Sequence, residues 1–278
     1  MQPVKQIILR HDAYVTATVN AYTARLDEIV ATATARTIAD LQRRLALLPN
    51  GRIAPTAANT RILRKLDALF IEEMDAAGFG RLNNAYVSQF SGQIHFLDDI
   101  IENISAQMAT PLPSVKQALN AADRRALAAQ QASTVANLET VIDSVAALAK
   151  RQALLSMAGL PMRELAATLA GAFQKTAARA TPLAELSQVA FYRTAADQTY
   201  RVIEEGLPSF VIKYEYDGPL DSLNRIFCRR MCIESRAGKR WTRAELNALD
   251  SGKGQPKPVM IYGGGWGCRH QAIIAVDV

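Results

Sequence analysis

Residues 203–219, Ile203-Glu204-Glu205-Gly206-Leu207-Pro208-Ser209-Phe210-Val211-Ile212-Lys213-Tyr214-Glu215-Tyr216-Asp217-Gly218-Pro219, hold the change of architecture in this chain. Gly206-Leu207-Pro208 ends a helix, because glycine takes a C-terminal cap without steric cost and proline cannot continue the ladder. The alternation through Phe210–Tyr216 then suits a strand, turned by Asp217-Gly218-Pro219. Composition shifts at the same point. Residues 207–278 hold 8 of the 15 glycines, 7 of the 18 aromatics, both tryptophans and all three cysteines. The preceding part is rich in Ala, Leu and Gln. This pattern predicts an α+β chain in two parts: a helical docking or assembly region over 1–206 and a small α+β module with a short sheet over 207–278.

Upstream of 203, apolar residues recur at steps of three and four. Val15, Val19, Tyr22, Leu26 and Ile29 form one face, and Ile94, Leu97, Ile101, Ile104 and Met108 another. Pro49-Asn50-Gly51 is expected to stop the first helix, Gly78-Phe79-Gly80 to separate the second from the third, and Pro111-Leu112-Pro113 to end the third. A fourth helix from about Asp123 to Met157, expected to be the longest, carries Val135, Leu138, Ile142, Val145 and Ala149 along a seam. Gly159-Leu160-Pro161 breaks the helical run, and Thr181-Pro182 is expected to open a new helix with proline at its first position. Residues 121–180 contain 19 alanines in 60 positions. Each buries little area, so close helix approach or a partner's surface must supply stability.

Downstream, Ile226–Ser235 is expected to form a short helix, and Thr242 with Glu245 spells a capping box for a second, ending near Asp250. Val259–Tyr262 and Ala272–Val276 read as strands flanking Gly263-Gly264-Gly265-Trp266-Gly267. That loop lacks the Lys-Ser/Thr pair and the following helix of a phosphate cradle, so a tight structural turn is the simpler account.

The chain has 278 residues, 49% hydrophobic and 21% charged, which excludes full disorder. No run of about 18 apolar residues occurs, and Arg10-His11-Asp12 interrupts the first short one, so neither a spanning helix nor a secretory signal is expected. Synthesis in the cytoplasm and no membrane partner follow as expectations. The net charge is +6. Residues 207–278 contain 11 Lys and Arg against 7 Asp and Glu, which places +4 there. Arg225, Arg229, Arg230, Arg236, Lys239, Arg240, Arg243 and Arg269 are therefore candidates for a DNA-backbone or acidic-partner surface, with a solvated helix face as the bland alternative.

Three cysteines are a poor disulfide framework. Cys228, Cys232, Cys268 and His270 form a set of four soft ligands, two at i and i+4 of a helix and two in a loop. One structural zinc would brace so small a module. Packed thiols with a hydrogen-bonded histidine are the simpler account, and a Cys228–Cys268 disulfide stands last. Cys268 with His270 also spells a nucleophilic pair, although no third, orienting group is evident. His11 and His95 have no metal-spaced partner and read as packed or surface residues.

Several of these residues recur in a fixed order: Tyr214-x-Tyr216-x-Gly218-Pro219-x-Asp221, Arg225-x-Phe227-Cys228, Gly238-Lys239-x-Trp241-Thr242-x-x-Glu245-Leu246, and Gly263-Gly264-Gly265-Trp266-Gly267-Cys268-Arg269-His270-Gln271. In this the module resembles the minor head proteins of tailed bacteriophages, the Mu F-type head morphogenesis family. The likeness covers about 65 residues and does not extend specifically into the helices. Leu223-Asn224-Arg225-Ile226 departs from a Thr-Arg-Pro-like stretch, and Cys232 is not a position of the pattern. Without Cys232, the trio Cys228, Cys268 and His270 suits local cross-bracing better than a closed metal site.

The resemblance implies a non-enzymatic virion component inside the capsid near the portal, acting in head morphogenesis or DNA ejection and assembled in the host cytoplasm. Its implied partners are the portal protein, the major capsid or scaffolding protein, and packaged double-stranded DNA without sequence preference. Within it, Asp221, Arg225, Cys228, Cys268, Arg269 and His270 would fix the module's fold. The rivals are an ejected DNA-binding protein and a thiol- or zinc-dependent enzyme using Cys268 and His270.

Overall fold

The computed structural model describes residues 4–156, 160–208, 210–222, 224–255, 257–265 and 268–275. Met157 at the expected end of the fourth helix, Gly159, Leu223, Trp266 and Gly267 of the glycine loop, and Val276 of the last strand lie outside these residues. The architecture is α+β, with long helices followed by a small two-stranded antiparallel sheet.

Helix α1 spans Val4–Arg44 and at 41 residues exceeds α7, Ala121–Ser156, at 36, so the first helix is the longer one. The stop of α1 lies upstream of Pro49-Asn50-Gly51. Asn59 takes both backbone groups of Ala46, its Oδ1 accepting from Ala46 N (3.0 Å) and its Nδ2 donating to Ala46 O (2.8 Å), which diverts the chain from the ladder. Pro49–Gly51 instead turns a tight hairpin that pairs Leu47 with Ile53.

Helices α2 (Ala57–Leu63), α3 (Leu66–Ala76) and α4 (Phe79–Ser88) follow. Gly78, at φ 102°, caps α4 in a left-handed conformation that suits glycine. A 3-10 turn at Gln89–Gln93 leads into α5 (Ile94–Gln107), and α6 (Val115–Ala118) precedes α7. Helix α8 spans Met162–Phe173, and α9 runs unbroken over Lys175–Gly206. Thr181-Pro182 thus lies inside α9 rather than at a helix start. Pro182 and Ala178 are both exposed, so the Ala178 carbonyl that loses its donor meets water, while Tyr86 Oη donates to Ala184 O (2.6 Å) and ties down the next turn.

After α9 come β1 (Lys213–Asp217), α10 (Ile226–Arg236), α11 (Arg243–Ala248), α12 (Val259–Tyr262) and β2 (Gln271–Ala275). Val259–Tyr262 is a helical turn and not the expected strand. Its amides point back, Tyr262 N to Pro258 O (3.0 Å) and Gly263 N to Val259 O (2.8 Å), and Gly263 ends it at φ 56°. Among the described residues, no helix is long and apolar enough to cross a membrane.

The chain forms two compact units, each drawn from separated stretches: 1–15, 90–131 and 186–278 in the first, 16–89 and 132–185 in the second. The second unit packs Phe70 face to face on Phe173, with ring centroids 3.7 Å apart, and buries Tyr22 against Tyr86. In the first, buried His11 stacks on Tyr192 and contacts Gln93 Oε1 through Nε2 (2.9 Å), and Gln93 donates to Gln188 (2.7 Å). The module from 207 onward lies in this first unit, together with the end of α9.

Candidate metal centre

β1 alternates inward and outward, so Tyr214 and Tyr216 are both buried. Antiparallel pairing sets Tyr216 opposite Ala272 and Tyr214 opposite Ile274, and Tyr214 also pairs with Trp241. Helix α10 turns Phe227, Cys228, Met231, Cys232 and Ser235 inward, the i, i+4 and i, i+1 spacing of one apolar face. Ser235 Oγ accepts from Tyr216 N (3.0 Å) and fixes α10 on β1.

Between these elements the loop before β2 turns both Cys268 and His270 inward. Cys228 Sγ, Cys268 Sγ and a His270 ring nitrogen all lie within 4.8 Å of one another and are buried. The sulfurs are 3.5 Å apart and unbonded, and Cys268 Sγ is 3.7 Å from His270 Nδ1. Cys232, expected as a fourth ligand, is buried on the next turn of α10, hydrogen-bonds to His270 and stands outside the trio.

Three glycines make room for this arrangement. A Cβ on Gly264 would lie 2.1 Å from Cys228 Sγ, one on Gly263 2.8 Å from Cys268 Sγ, and one on Gly218 2.5 Å from His270 Cδ2. Gly263 and Gly264 thus cradle the two cysteine sulfurs, and Gly218, after β1, leaves room for the His270 ring.

The surroundings suit a metal. His270 Nε2 meets Pro219 O at 2.7 Å, which fixes the ring and turns Nδ1 toward the sulfurs, the usual outer partner of a ligating histidine. Gly264 N and His270 N both point at Cys268 Sγ, at 3.1 and 3.4 Å, and favour a thiolate there. Hydrogen bonding from Cys228, with that from His270 and the nearby Arg193 charge, draws the Cys268 pKa below the usual thiol range, against the effect of burial. The same Cys228–Cys268 contact, with burial, holds Cys228 protonated well above the usual thiol range. Burial pulls His270 down, but its bonds to Cys232 and Cys268 outweigh this and raise it to about 9. The trio of Cys228, Cys268 and His270 could hold a metal ion, which would displace the thiol protons.

Arg193, from α9, is the residue that sequence reasoning missed. Its buried guanidinium donates to Cys268 O (2.6 Å) and to His270 O, and so clamps the loop that carries two of the three ligand atoms. An arginine within a long helix gives no sequence signal of such a role.

The basic residues are mostly committed within the unit. Arg225 donates to Gly264 O (2.9 Å), Lys239 to Glu234 (2.6 Å) and Arg269 to both oxygens of Asp221 (2.7 and 2.8 Å). Arg240 pairs with Glu215 (2.6 Å), and Arg243 with Glu204 (2.6 Å) and the buried Asp197. Arg236 reaches Gly218 O at 3.4 Å, and Arg230 lies over Phe227 and 3.9 Å from Glu234. Arg229, Arg230 and Arg236 share the exposed side of α10. His11 is packed and His95 exposed. No known protein family, curated protein or solved structure matches this chain.

Proposed function

We propose that this chain is a minor head protein of a tailed bacteriophage, a non-enzymatic virion component placed inside the capsid near the portal. In this reading the helices dock on the portal protein, with capsid or scaffolding protein as further contacts, and the chain serves head morphogenesis or DNA ejection. One observation carries it. Residues that define the family likeness, though scattered from 214 to 271, meet at a single cluster: Tyr216, Gly218, Cys228, Gly263, Gly264, Cys268 and His270. A signature that encodes a fold-fixing centre would be distributed in this way.

The donor set suits zinc, since two thiolates and an imidazole are soft and borderline ligands. Cys228, Cys268 and His270 would hold the ion, whose contribution is to brace the module. DNA contact narrows to Arg229, Arg230 and Arg236, which share the exposed side of α10. Locating the chain in intact and emptied particles tests the assignment. Density beside the portal and non-infectious particles on gene deletion are expected. Fully infectious particles without the chain would overturn it.

The enzyme alternative has one observation in its favour, Cys268 Sγ lying 3.7 Å from His270 Nδ1. Against it, Cys268 is 6% exposed. Iodoacetamide should modify native Cys268 more slowly than free cysteine, and faster modification would favour the enzyme.

A further inference from the structure

We propose that Tyr216 is the fourth ligand of this centre, its phenolic oxygen completing a tetrahedron with Cys228, Cys268 and His270. The inference rests on the metal reading above and adds a residue to it. A tetrahedral zinc with bonds of about 2.3 Å to sulfur and about 2.0–2.1 Å to nitrogen or oxygen sets two sulfurs about 3.8 Å apart and a sulfur about 3.5–3.6 Å from a nitrogen or oxygen. Tyr216 Oη lies 3.7 Å from Cys228 Sγ and 3.6 Å from Cys268 Sγ. The sulfurs are 3.5 Å apart, and Cys268 Sγ is 3.7 Å from His270 Nδ1. Four of the six edges of such a tetrahedron are therefore present to within about 0.3 Å.

A hydroxyl donating an ordinary hydrogen bond would approach one sulfur and leave the other. Tyr216 Oη is instead nearly equidistant from both, and its partners among the described residues are these two sulfurs. A tyrosine 1% exposed usually satisfies its hydroxyl with a stronger acceptor. The ring is also held in place. β1 directs it inward opposite the small Ala272, it lies parallel to the His270 ring at 5.8 Å, and Phe227 meets it edge-on at 6.1 Å. Cys232, the other available donor, is excluded from the trio by its position one turn further along α10. Two thiolates and a phenolate leave a divalent ion one negative charge in excess, and the buried Arg193 guanidinium beside the loop offsets it.

Proton balance gives the test. Binding as two thiolates, a neutral imidazole and a phenolate displaces three protons: one from each of the Cys228 and Cys268 thiols and the phenolic proton of Tyr216. The zinc ion takes their places, and three protons pass to solvent. Titrating Zn(II) into the full, metal-stripped chain in buffers of different ionisation enthalpy should give about three protons per ion. Tyr216→Phe should release about two, bind zinc roughly 10-fold or more weakly, and shift the visible absorption of the cobalt-substituted site. About two protons from the unmutated chain would overturn the proposal, even if the variant fails to fold. So would a Tyr216→Phe variant with unchanged affinity and cobalt spectrum while Cys268→Ser loses zinc, a result that leaves the metal reading standing. If the unmutated chain takes up no zinc, both fall.

Discussion

Gly264 shows how little space the centre leaves. A methyl group there would sit 2.1 Å from Cys228 Sγ, so Gly264→Ala should force the sulfur or the loop aside. The expected cost is about 1–3 kcal/mol in chemical denaturation, together with weakened metal uptake. Arg193→Gln should be as damaging, because it withdraws a buried cation from two carbonyls of the ligand loop, and hydrogen bonds to charged groups are worth about 1.5–3 kcal/mol. Wild-type stability in either variant would show that the loop holds its shape unaided. Cys268 and His270 were legible in sequence because thiols and imidazoles next to glycines are rare and chemically marked. Arg193 was not, since its role depends on a contact 75 residues away. Cys232 was misleading for the opposite reason: helical spacing puts it on the face of Cys228, but spacing alone does not say which turn meets the loop.

At the level of elements, capping chemistry was the most readable signal. Thr242 and Glu245 form the expected capping box, with Thr242 Oγ1 accepting from Glu245 N (3.2 Å) and Glu245 accepting from Thr242 N (2.7 Å). Thr242→Ala should cost about 1 kcal/mol. Hydrogen bonds from the Thr242 backbone and hydroxyl lower the Glu245 pKa. Its contribution is therefore complete above the ordinary glutamate range and is lost as pH falls through the lowered folded value. Glu245→Gln should abolish that part of the acid dependence of the melting temperature, and an unchanged profile would count against the box. Less readable was Val259–Tyr262, since four apolar residues suit a strand or a helical turn equally and only the preceding Pro258 and the following Gly263 decide. Thr181-Pro182 failed as a helix start because an exposed carbonyl tolerates the missing donor.

Over the whole molecule, periodicity established that the chain is helical upstream of a small sheet, yet not how its segments are grouped. Composition divides it at residue 206, whereas the first compact unit takes in residues 186–206 of α9 as well. Arg193, Asp197 and Glu204 explain this, because each bonds to a residue beyond 207. Charge was equally incomplete as a guide. Eight basic side chains would give a salt slope of about −7 for DNA binding, but the three on the open side of α10 give about −3. Filter binding across a salt series distinguishes these, and sequence-dependent affinity at constant salt would contradict a purely backbone contact.

The meeting of Cys228 and Cys268 across 40 residues has a mechanical side. With an ion joining them, a chain pulled from its two ends transmits force from α10 directly to the loop before β2. Everything between, including α11 and α12, is bypassed. Stretching the metal-loaded protein should release about 130 Å less contour length than the metal-stripped protein, at about 3.3 Å per residue. The ion would thereby shield α11 and α12 from the load.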